Sequence, residues 1–319
     1  MPLQASQSLK VAHIATPTSG MNLAMTRFKT VVERESNPPL KVEIYPNGEQ
    51  GGEVEMVERA RHNSIQAVLI STAVMANYSP ALAAVTLPYL FRGTDSVQSF
   101  MSSDVSRELL ASLESASLVG LGYCYNNFFN LFIGRRSLIT GIRDPSDISG
   151  QPFRSGQSDI WSGIIKALGF TPVAVPFPEL KKAIESGTVD GCDGIIGLMD
   201  QLGYDKLIKS ITLSQHWAGL PVFSINKNYM ASLGDGNRTL IRNAAQETFL
   251  SLVREGVADK ENEQAIASFR AKGIDVIALS DDSARSFARR TRVVHENYRD
   301  VIDGELLRAL YKTCKYSVD

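Results

Sequence analysis

Long hydrophobic runs are missing from this chain: no stretch approaches the roughly 18 consecutive apolar residues that a membrane-spanning helix needs. Met1 to Lys10 also lack the charged start and apolar middle of a signal peptide, so the protein is expected either to be cytosolic or to have had a leader cut away. Cysteine is scarce, with Cys124, Cys192 and Cys314 as the 3 representatives and no C-x-x-C spacing. That excludes a zinc ribbon or a disulfide framework and leaves small buried hydrophobes. Charge of one sign is missing too: 33 Lys and Arg balance 34 Asp and Glu for a net charge of −1, without the basic footprint that nucleic-acid or anionic-membrane binding requires. The 4 histidines, His13, His62, His216 and His295, stand singly. Gly-x-Ser-x-Gly, Walker A and a complete G-x-G-x-x-G are absent, since Gly120-Leu-Gly122 runs into Tyr-Cys-Tyr. Asp190 and Asp193 lie close in sequence, a pair that reads as solvating or capping before it reads as acid and base. Catalysis has little to build on here.

What is present is an α/β chain. Its 319 residues, 44% apolar and 21% charged, suffice for a full core divided into two domains. An apolar run Val11-Ala12-His13-Ile14-Ala15 feeds a helix carrying Leu23, Phe28, Val31 and Val32 behind a cap at Thr18 or Ser19. Lys41 to Tyr45 alternates as a strand, Glu53 to His62 reads as a helix, and Ala67 to Ser71 is a continuous apolar strand. This β-α-β-α-β order predicts a mostly parallel sheet. A helix is expected from Asp95 to Leu113 and a strand from Leu118 to Tyr125. A second sheet is expected from the region of Phe153, the strand Pro172 to Phe177, and Thr188 to Asp190.

The two domains read as interleaved. A strand-like run from Ile211 through Trp217 continues past Gly219-Leu-Pro221 into Val222 to Ile225, long enough to serve both sheets. From Arg238 to Lys272 the only breaker is Gly256. A helix of about 30 residues would be about 45 Å long and is expected to lie across both lobes. Asp275 to Ala278 as a strand, with helices at Asp281 to Arg299 and Gly304 to Tyr311, completes the second lobe. The expected division is 1–127 plus 220–256 for lobe 1 and 128–219 plus 257–319 for lobe 2.

Four segments then carry a likeness: Tyr45-Pro-Asn-Gly-Glu-Gln-Gly-Gly-Glu53, Thr86-Leu-Pro-Tyr-Leu-Phe91, Gly150-Gln-Pro-Phe-Arg154, and Leu168 to Phe177 continuing to Gly187-Thr-Val-Asp-Gly191. In this order and spacing the chain resembles, over nearly its whole length, the extracytoplasmic solute receptors of TRAP transporters, the DctP type. The resemblance implies a bilobal periplasmic-binding-protein fold, with two mixed sheets, flanking helices, hinge strands and a long helix spanning both lobes. It implies capture of an organic acid in the periplasm and delivery to a TRAP membrane permease, with no chemistry done on the ligand.

The resemblance also points to site residues. Its central contact falls on Arg154, and the chemistry agrees independently, because a guanidinium offers paired N–H donors to a carboxylate and stays charged when water is expelled. Gln157 and Phe177 match positions that face the ligand, and a second arginine of the family falls on Asn130. Where many receptors carry Gly-Gln-Glu-Asn, this chain has Gly191-Cys-Asp193-Gly194. Asp193 is expected to orient a ligand hydroxyl; no metal and no cofactor are expected. Thr18, Ser71 and Thr72 stand where loops of the first lobe meet the ligand. Tyr125, Phe128, Phe129 and Trp217 lie near the proposed cleft and supply apolar area, whereas Trp161 shares a helical stripe with Ile164, Ile165 and Leu168 and reads as core. One strong cation favours a ligand with a single carboxylate and an aromatic or branched remainder. A C4-dicarboxylate or sugar-acid receptor of the same type and a ligand-presenting sensor protein stay open, ahead of an enzyme using Asp193 or His216 as base.

Overall fold

A computed structural model describes residues 7–316. Strands β1 (Gln7–His13), β2 (Leu40–Tyr45), β3 (Ala67–Ile70) and β4 (Leu118–Tyr123) belong to one sheet. Strands β5 (Phe129–Gly134), β6 (Pro152–Ser155), β7 (Thr171–Ala174), β8 (Gly191–Ile195) and β9 (Ile208–Leu213) form another. The chain then returns to the first sheet with β10 (Val222–Asn226) and ends its strands in the second with β11 (Asp275–Ala278). The orders are β2-β1-β3-β10-β4 and β11-β9-β5-β8-β6-β7. Both sheets are mixed: β1 runs parallel to β2 and β3 while β10 is antiparallel to β3 and β4, and β5 is antiparallel to both its neighbours, β8 and β9. The result is an α/β molecule of two lobes whose chain crosses between them more than once.

Local sequence explains most elements. The helix Gly20–Glu35 starts where the Ser19 hydroxyl accepts the Asn22 N–H at 3.2 Å, and it buries Met21, Ala24, Met25, Phe28 and Val32. Leu23, expected on that face, lies on the outside, one position off the buried stripe. Phe28 meets Phe223 of β10 edge-on at 5.0 Å, and Phe223 meets Phe249 at 5.9 Å, which ties the helix Asp235–Arg254 to the first sheet. The three cysteines are buried and free.

Four expectations are corrected. The helix expected over Asp95 to Leu113 is two, Thr94–Met101 and Asp104–Ala111, because the Ser103 hydroxyl caps a new start by accepting the Ser106 N–H. The run from Ile211 to Ile225 is not one strand: β9 stops at Leu213, and the residues up to Val222 form a link between lobes pinned by a bridge from Phe128 to Ala218. The expected long helix is broken at Gly256, whose φ of +65° is left-handed, giving Asp235–Arg254 and Val257–Ala271. The strand expected at Thr188 to Asp190 sits instead at β8. A Cβ on Gly191 would run into the Phe132 carbonyl of β5, so glycine is what lets these central strands approach.

Strand β5 carries no alternation to read, because a strand buried on both faces loses that pattern. At the end of the chain, the helix Asp281–Asn297 packs on Asp159–Leu168 of the second lobe. The helix Gly304–Cys314 packs on Thr94–Met101 of the first.

Candidate functional site

Parallel strands leave their carboxyl ends open, and in both lobes those ends meet at one cavity. Ile14 follows β1, Glu53 opens the helix Glu53–Arg61 that follows β2, and Ser71 follows β3; Arg154 on β6 and Asp193 on β8 face them from the other lobe. The cavity has a volume of about 50 Å³, and its walls are mostly apolar and aromatic.

Arg154 is held by β6 between β7 and β8, opposite Val173 and Cys192. It is only 2% exposed. Its Nε donates to the Val175 carbonyl at 3.0 Å, and its guanidinium lies over the Trp161 ring at 4.6 Å and near the Phe177 ring at 5.8 Å. Among the described residues Arg154 forms no ion pair, so its two terminal nitrogens keep their donors for something else.

Asp193 is buried and well supplied. Trp161 Nε1 donates to its two oxygens at 2.8 and 3.0 Å, Trp217 Nε1 donates to Oδ2 at 3.1 Å, and His216 Nε2 lies 3.3 Å from Oδ2. Ser214 Oγ holds the other histidine nitrogen at 2.8 Å. Phe129 stacks on Trp217 at 3.8 Å and meets Trp161 edge-on at 5.4 Å, so one buried carboxylate fixes both indoles and through them an aromatic wall. Glu53, the other acid of the cavity, accepts the Ser71 N–H at 2.7 Å. Burial raises its pKa, and the Ser71 N–H and the Arg154 charge work against that rise.

Five of the residues expected at the site line this cavity: Arg154, Phe177, Trp217, Asp193 and Ser71. Four do not. The Gln157 side chain is exposed, and its carbonyl receives the Asn77 amide at 2.7 Å. Asn130 is consumed by backbone, donating to the Phe128 carbonyl at 2.8 Å and accepting the Gln215 N–H at 3.1 Å. Thr72 is buried with its hydroxyl on the Leu220 carbonyl, and Thr18 is exposed beside Thr16. Trp161, read as core, is buried on the expected stripe yet also lines the cavity; the available signal was its indole N–H, which needs a partner when buried. Glu53 was missed as a site residue because an acid at a helix start has an ordinary capping explanation. Among the described residues no three His, Cys, Asp or Glu side chains gather as a metal site would require, and no helix is long and apolar enough to cross a membrane.

Comparison with known proteins places the chain in a family. The profile of bacterial extracellular solute-binding protein family 7, DctP, matches residues 11–300. The chain is similar to the C4-dicarboxylate-binding protein DctB of Bacillus subtilis, 25% identical over 317 residues that cover 99% of this chain and 89% of that one. It is also similar to the 2,3-diketo-L-gulonate-binding periplasmic protein YiaO of Escherichia coli, 25% identical over 96% of this chain and 92% of that one. In fold it matches the sugar acid binding protein DctPAm of Advenella mimigardefordensis, in complex with galactonate, with a TM-score of 0.90, 23% identity, and coverage of 97% of this chain and 98% of that one. A TRAP periplasmic solute binding protein of Shewanella oneidensis with bound succinate gives a TM-score of 0.89 at 22% identity, covering 97% and 100%. The chain belongs to bacterial extracellular solute-binding protein family 7, the DctP family, and is a solute-binding protein, not an enzyme.

Proposed function

We propose that this protein captures, in the periplasm, a small organic acid with a single carboxylate and a branched or aromatic remainder, and hands it to a TRAP-type membrane permease. The observation that carries the reading is Arg154: a buried guanidinium with two unpaired terminal nitrogens, opening onto an apolar cavity. A bidentate carboxylate matches that fork and no neutral ligand does so as well. Phe177, Trp217, Asp193 and Ser71 are the proposed companions, with Trp161 and Glu53 beside them; Gln157, Asn130, Thr72 and Thr18 lie outside the cavity and are not proposed as contacts.

The proposed lobe division is 1–127 plus 220–256 against 128–219 plus 257–319, the helix Gly304–Cys314 at the end of the second set packing on Thr94–Met101 of the first. Closure of the two would shut the ligand from water.

A thermal-shift screen against an organic-acid library tests the function, since a ligand at 100 times its Kd adds about 2.7 kcal/mol to the folded state. Monocarboxylates should rank above succinate and sugar acids; succinate ranking first would replace this reading with a dicarboxylate receptor. Recovery of the ligand unchanged after incubation is the expected companion result.

A further inference from the structure

We infer that the ligand is a zwitterion, its carboxylate on Arg154 and a cationic nitrogen against Glu53. The inference rests on the carboxylate reading above and adds a second charged group of opposite sign.

Arg154 and Glu53 reach the cavity from different lobes, 2% and 7% exposed. They form no ion pair with each other, and each is half satisfied. Among the described residues, Glu53 Oε1 takes the Ser71 N–H while Oε2 has no donor, and Arg154 gives Nε to Val175 while neither terminal nitrogen has an acceptor. Asp193, the third charged group, asks nothing further of a ligand, because two indoles and His216 already face its oxygens.

A ligand carrying only a carboxylate would satisfy Arg154 and place a second anion beside a buried carboxylate that has lost its water. A hydroxyl would give Glu53 a donor and no charge. An ammonium supplies both. It leaves the Arg154 and Glu53 charges each matched inside a low-dielectric space, where unmatched charge is costly. The ligand class is therefore a small amino acid or betaine with an apolar remainder.

Calorimetric titration of the full chain with valine, 3-aminobutanoate, 4-aminobutanoate and glycine betaine, each beside its hydroxy and unsubstituted counterpart, tests this. At least one zwitterion should bind about tenfold or more tighter than both counterparts. In Glu53→Gln, which keeps an acceptor for Ser71, that zwitterion should weaken about tenfold and its unsubstituted acid should tighten, a crossing that a merely structural role would not produce. Apo melting temperatures confirm that the variant folds; should it not, the wild-type ranking decides alone. Hydroxy or unsubstituted acids binding as well as the zwitterions would overturn the ammonium contact and leave the carboxylate reading standing. Binding of none of these acids would overturn both.

Discussion

Trp161 and Trp217 point their indole N–H groups at the same carboxylate, Asp193, at 2.8 and 3.1 Å. The two rings meet edge-on at 5.2 Å, so Asp193 sets the shape of the aromatic wall as much as it occupies the cavity. Asp193→Asn keeps the volume but offers one acceptor oxygen and an NH₂ that must face an N–H donor. The expected cost is about 1.5–3 kcal/mol, the worth of hydrogen bonds to a charged group. Urea unfolding followed by tryptophan fluorescence measures it, and an unchanged midpoint would show that these bonds do not hold the indoles.

Arg154→Lys keeps the charge and loses the fork; Arg154→Ala also strands the ligand carboxylate. The Ala variant should lose about 2–5 kcal/mol of binding, with Lys between it and the wild type. Titrating the three proteins with the best screened ligand gives the order. Full affinity in the Ala protein would remove Arg154 from the site.

The lobes also touch outside the cavity. The Gly20 N–H, at the start of Gly20–Glu35, donates to Glu261 Oε1 at 2.7 Å, and Glu261 belongs to the helix Val257–Ala271, which packs on Ile196–Gln201 of the other lobe. A bond of this kind exists only when the lobes are together. Small-angle scattering should show a smaller radius of gyration at ligand saturation. Glu261→Ala should weaken binding by up to about 1.5–3 kcal/mol, the range for a hydrogen bond to a charged group, through faster release. An unchanged dissociation rate by stopped flow would contradict it.

Acid should unfold the protein partly through His13. This ring is buried, with Nδ1 accepting the Ala15 N–H at 3.2 Å, which leaves the proton on Nε2 facing Asn22 Oδ1 at 3.2 Å. Burial pushes its pKa from 6.5 down to about 4. Because the folded value lies below the unfolded one, the associated stability is whole above pH 6.5 and is lost as pH falls toward 4. It amounts to at most about 3 kcal/mol at 1.36 kcal/mol per unit. Glu53 works oppositely: its pKa is raised, so its contribution is present at low pH and fades above 4.5. The drop in urea midpoint between pH 7 and pH 5 should be smaller in His13→Asn than in the wild type. An equal drop would assign acid sensitivity elsewhere, His295 being the other histidine held down by burial.

Much of this protein was legible before it folded. Period and punctuation locate β2, the helix after it, β3 and the cap at Ser19, because those signals are carried by neighbours in sequence. The strand-end position of Arg154 was legible for the same reason. Contacts between distant segments decided the rest. Strand β5 is hidden by burial on both faces, β8 by two glycines whose reasons are remote contacts, Gly191 against the Phe132 carbonyl and the Phe153 ring and Gly194 against Met199, and the helix break by a left-handed Gly256 that an otherwise continuous stripe masks. The site divides the same way. A guanidinium announces its chemistry from composition alone; that Glu53 stands across from it unpaired, and that Trp161 turns its N–H to Asp193, are facts of two lobes meeting. Local preference writes elements into a sequence, whereas the partners of a buried charge are fixed only when remote strand ends come together.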